Sequence, residues 1–83
     1  MNEAQLMVDI LDIMCSMNKG FSIADLLVQL NNLYATRGEQ VEQAIIRKVL
    51  DDLTEQGYLK TYTVGVLPSW KITPEGEDFF YSL

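Results

Sequence analysis

The chain contains no histidine, a single cysteine, two prolines and six basic residues against twelve acidic ones. Without histidine, no Ser-His, Cys-His or His-carboxylate arrangement can be built, and Cys15 has no base nearby in sequence to hold it as a thiolate. A lone cysteine cannot close an intrachain disulfide, which agrees with a reducing compartment, and it reads as a buried packing residue. The acids show neither calcium-loop nor zinc-site spacing, and the glycines never gather into a phosphate-binding loop. No catalysis, no metal and no cofactor are therefore expected. Apolar runs last only a few residues, and Glu3, Asp9 and Asp12 interrupt the first segment. Neither a signal peptide nor a membrane span is expected, and the location that follows is cytoplasmic.

The shortage of basic residues gives a net charge of -6. Such a charge repels polyanions at long range and argues against indiscriminate binding to nucleic acid or anionic membrane. A local basic patch can still act within a Debye length of about 8 Å.

An apolar share of 48% suffices for a packed globule. The chain shows no repeat, no low-complexity run and no linker-like tract, so residues 1–83 read as one domain. A chain of this length withdraws only roughly 60 to 65% of its unfolded surface from water, so the core is modest.

In "NEAQLMVDILDIMCSMNKG", Leu6, Ile10, Met14 and Met17 recur at the spacing of one buried helical stripe. Asn2 with Gln5 suggests an N-terminal cap, and Gly20 a left-handed stop. In "FSIADLLVQLNNLY", Ser22 and Asp25 form a second capping pair, with Leu26, Leu27, Leu30 and Leu33 facing inward. After a break at Gly38, a third amphipathic segment turns Ile46, Leu50 and Leu53 inward and closes on Gly57. The period then falls to two: Tyr58, Lys60, Tyr62 and Val64 alternate with Leu59, Thr61 and Thr63. "VGVLPS" turns the chain before "WKI", so a hairpin is expected. Thr73, Pro74 and the acids Glu75, Glu77 and Asp78 then start a brief last helix.

This order, with "LDDLTEQGYLK" leading into the hairpin and "WKITPEGEDFF" leading out, resembles the winged helix-turn-helix of bacterial and archaeal regulators, especially the PadR-like and MarR-like groups. The resemblance covers almost the whole chain. It implies a mainly α fold with a small antiparallel β-hairpin: a three-helix bundle, a wing and a short C-terminal helix. It also implies a role in transcription regulation, DNA binding through the third helix, and a homodimer. On that reading Arg47 and Lys48 contact phosphates or bases, Gln40 and Gln43 read bases at the helix entry, and Lys60 and Lys71 lend support.

Two features oppose DNA binding. Arg47 can pair with Asp51 and Lys48 with Asp52 at i,i+4, giving a self-neutralising face. The hairpin tip also carries neither Arg nor Lys. The competing expectation is an acidic adaptor that binds protein, or mimics DNA, through Val41 and Ile45, which with Val49 widen the apolar arc of the third helix beyond what one-sided packing requires, and through Val66, Leu67 and Phe80, which extend that patch.

Overall fold

A computed structural model describes residues 2–83 of the chain. Helix α1 spans Glu3–Met17, α2 Ile23–Ala35, α3 Gln43–Glu55, strand β1 Leu59–Val64, β2 Leu67–Ile72 and helix α4 Pro74–Tyr81. The architecture is mainly helical with one antiparallel hairpin, as the sequence pattern implies.

Side chains fix the helix starts. The Asn2 side chain accepts the Gln5 N–H at 2.7 Å, and Ser22 and Asp25 close a reciprocal capping box at 3.2 and 3.3 Å. Thr73 caps α4 by accepting the Gly76 N–H at 3.0 Å, with Pro74 in the first turn where its missing N–H costs nothing.

The helix ends are more varied. Helix α3 ends as expected: Gly57 is left-handed (φ 85°), its N–H reaches the Thr54 carbonyl, and the Tyr58 N–H reaches Leu53, each at 3.0 Å. This pair of bonds defines a Schellman end. Helix α1 stops earlier than Gly20. Asn18 takes the left-handed cap (φ 47°, ψ 46°), a conformation that Asn tolerates better than most residues. Gly20 serves another need, since a Cβ there would overlap the Tyr62 hydroxyl.

The hairpin turn is also tighter than expected. It is two residues, Gly65-Val66, and β2 already begins at Leu67. Gly65 has φ 64° and Val66 does not enter that region, the pattern of a type II′ turn. Phe21 adds a bridge to the far side of β2, exchanging both backbone hydrogen bonds with Trp70 at 2.8 Å. By alternation the backbone nitrogen of Pro68 points the same way as that of Trp70, away from β1, so the proline removes no ladder bond.

The core joins Leu6, Ile10, Leu11 and Met14 of α1 to Leu26, Leu30 and Tyr34 of α2, Ile46, Val49, Leu50 and Leu53 of α3, and Leu59, Trp70 and Ile72 of the hairpin. Met17 and Leu33, expected inside, are exposed. Leu11 and Tyr34 take the inward positions instead. Helix α4 sits so close to the start of the hairpin that a Cβ on Gly76 would overlap the Tyr58 carbonyl oxygen, and Phe79 stacks on Tyr58 at 4.3 Å.

Candidate functional site

Burial of Ile46, Val49, Leu50 and Leu53 turns Gln43, Ala44, Arg47, Lys48, Asp51, Asp52 and Glu55 outward. Both cations of this face are engaged. Arg47 Nε lies 3.3 Å from both Asp51 oxygens, and its guanidinium stands 5.2 Å from the centre of the Trp70 ring. Lys48 Nζ donates to Glu3 at 2.6 Å and lies 3.7 Å from Asp52. The Glu3 hydrogen bond and charge, with a smaller contribution from Asp52, raise the Lys48 pKa above its ordinary value. Residues 39–55 hold five carboxylates and two cations, a net charge of -3.

The other residues that the sequence points to differ in exposure. Gln40 and Gln43 are exposed at the entry to α3. Val41 is a correction: at 5% exposure it belongs to the core, held against α2 by its N–H bond to Asn31 Oδ1 at 3.2 Å. Ile45 and Phe80 are half-buried against the core. Val66 and Leu67 are exposed at 93% and 61%.

The hairpin brings Lys60 and Lys71 together. They are directly opposed in register and share one face with the Tyr62-Ser69 and Val64-Leu67 pairs. Among the described residues neither lysine makes an ion pair, and residues 56–74 contain no acid. Like charges directly opposite one another are unfavourable in a ladder, so no internal gain accounts for the arrangement. Beyond the lysines Tyr62, Val64 and Leu67 are exposed on this face, and Val66 at the tip.

One cluster lies apart from every residue that the sequence pattern singles out for function. The Tyr34 hydroxyl donates to the buried Asp9 carboxylate, Gln5 Nε2 donates to it at 3.1 Å, and Arg37 approaches to 3.8 Å while its guanidinium lies 5.1 Å from the Tyr34 ring centre. Burial, then the hydrogen bond to Asp9 and its charge, raise the Tyr34 pKa. The sequence signal was an acid at i+3 from Leu6, inside the apolar stripe. Cys15 is half-buried; burial pushes its thiol up, with Glu77 and Asp12 acting in the same direction.

No family model matches the chain, and no curated protein matches it. Among solved structures, one from a study of the DNA recognition and protein interaction domains of HOP2, and of its homologous DNA pairing properties, aligns with a TM-score of 0.65. The alignment covers 87% of this chain and 100% of that one at 19% identity. The fold is a winged helix. In winged-helix terms α2 and α3 form the helix-turn-helix, α3 is the third helix and the hairpin is the wing. Among the described residues no helix is long and apolar enough to cross a membrane.

Proposed function

We propose that this winged helix is a non-catalytic protein-contact module, with the regulatory role that its PadR-like and MarR-like resemblance implies carried by the wing. The observation that supports this most is the charge of the α3 face. Exposed ion pairs are worth only about 0 to 1 kcal/mol, so Arg47 and Lys48 could exchange their partners for phosphates. The carboxylates would nevertheless remain: the α3 face is itself at -1, Glu39 and Glu42 in the turn before it bring residues 39–55 to -3, and such a surface meets a phosphate backbone with repulsion. A site using roughly six to ten phosphate contacts also needs more free cations than one such chain supplies. Among the described residues, four of the nine exposed large apolar ones, Tyr62, Val64, Val66 and Leu67, lie together on the wing, where the carboxylates are absent. Contiguous apolar surface of this kind marks protein contact.

The reading of α3 as a DNA-recognition helix keeps one argument, the likeness to a domain studied for DNA recognition as well as protein interaction. Selection from a random duplex library at low salt separates the two readings. The expected result is no enrichment with the folded 83-residue chain. Enrichment of a defined duplex that is lost on Arg47→Glu with Lys48→Glu overturns the protein-contact reading.

A further inference from the structure

The exposed part of the wing's lysine-bearing face and the end of the chain are opposite in charge and alike in exposed apolar surface. The wing carries Lys60 and Lys71, no acid, and exposed Tyr62, Val64 and Leu67 with Val66 at the tip. Helix α4 carries Glu75, Glu77 and Asp78, residues 72–83 contain no base, and Tyr81 and Leu83 are 71% and 64% exposed. The two surfaces do not cover one another within one chain, since Val66 and Tyr81 both remain open.

We propose that the wing of one copy seats on the acidic C-terminal helix of a second copy, and reciprocally, forming a two-fold dimer. This rests on the protein-contact reading above and names the partner. Charge complementarity selects the occupant: two unpaired lysines meet three carboxylates while the apolar tip covers Tyr81 and Leu83. The contact is made twice for reasons of size. A stable interface buries about 800 Å² per partner, and one wing tip against two C-terminal residues falls short of it, whereas the reciprocal pair doubles the area. Closed two-fold pairing is also the commonest solution for identical chains.

Sedimentation of the full chain tests this, with far-UV circular dichroism to verify that each variant is folded. Wild type is expected to pass from monomer to dimer with concentration and to form nothing larger. Lys60→Glu with Lys71→Glu, or Glu75→Lys with Asp78→Lys, should each weaken the dimer by about tenfold or more, because each makes the contact repulsive. The four changes combined in one chain should restore it. Val66→Asp, at a position with no packing to lose, should leave a folded monomer. Three results overturn the proposal: wild type monomeric at about 100 µM, well above the micromolar range of ordinary specific pairs, a dimer indifferent to the wing substitutions, or a charge swap that fails to restore pairing. A monomeric wild type that also selects no duplex removes only the second copy as occupant. A duplex selected through α3 removes the protein-contact reading itself.

Discussion

A single carboxylate, Asp9, shows how one residue shapes this fold. It lies 8% exposed in the stripe that α1 turns to the core, and it is tolerable there because Tyr34, Gln5 and Arg37 surround it. Replacing Tyr34 by Phe keeps the ring and removes the donor, so Asp9 loses its buried partner. A loss of about 1 to 3 kcal/mol is expected in urea unfolding. The same pair fixes the alkaline behaviour. The folded state raises the Tyr34 pKa, so it holds the phenolic proton more tightly than the unfolded chain, whose tyrosines titrate near about 10. This contribution is complete below that pH and lost as pH rises through the folded value. Tyr34→Phe should therefore show a smaller alkaline decline in stability than wild type above about pH 10; an identical slope in the two proteins would contradict the assignment. A second residue-scale test is Gly76→Ala. Helix propensity alone predicts a gain of about 1 kcal/mol. The Tyr58 carbonyl occupies the space a Cβ requires, and backbone cannot yield cheaply, so a net loss of about 1 to 3 kcal/mol is expected in thermal unfolding.

At the scale of elements, the signals that sequence carries well are local ones. The capping box at Ser22 and Asp25, the Schellman end at Gly57 and the Thr73-Pro74 start are each complete within six residues, and each is found where the residue types place it. Ser22→Ala should cost about 0.5 to 2 kcal/mol, because it removes the side-chain acceptor of the Asp25 N–H, and denaturant titration measures it. What was not legible depends on partners far along the chain. Gly20 had the appearance of a helix stop, yet its small size answers to Tyr62, 42 positions later, while Asn18 makes the turn. Tyr34 replaces Leu33 in the core because Asp9, 25 positions away, needs its hydroxyl. The wing turn is shorter than "VGVLPS" suggests, because Pro68 fits within β2 with its nitrogen on the side that β1 does not use, which only the register shows. At the candidate site the same limit applies. The i,i+4 partners of Arg47 and Lys48 were visible in the spacing, but not Glu3 on α1 or Trp70 on β2, and Val41 gave no sign of its hydrogen bond to Asn31.

Over the whole molecule, charge is sorted by architecture. All twelve carboxylates lie on the helices and the turn between α2 and α3, where only Arg37, Arg47 and Lys48 oppose them, leaving -9. Lys60 and Lys71 on the hairpin, with Lys19 set 5.1 Å from the ring centre of Phe21, supply the other three cations. On the protein-contact reading proposed above, a winged helix with its third helix on the negative side is held away from DNA by field rather than by shape. That distinction is testable, because neutralising carboxylates changes the field and leaves the backbone alone. Glu42→Gln, Asp51→Asn, Asp52→Asn and Glu55→Gln together leave two cations and one carboxylate in residues 39–55. Stability should change little, since the exposed pairs removed are worth about 0 to 1 kcal/mol each. If the fold still directs Arg47 and Lys48 outward as a recognition helix does, weak duplex binding should appear at low salt, with a Kd of about 10⁻⁴ to 10⁻⁶ M as for non-specific sites. Two phosphate contacts give a log-log salt slope near about -1.8, so affinity should fall roughly tenfold between 50 and 200 mM salt. Adding Arg47→Ala and Lys48→Ala should return the chain to silence. Fluorescence anisotropy of a labelled duplex reads all three states, and a neutralised variant that stays silent at the lowest salt would mean that shape, not charge, keeps α3 from DNA.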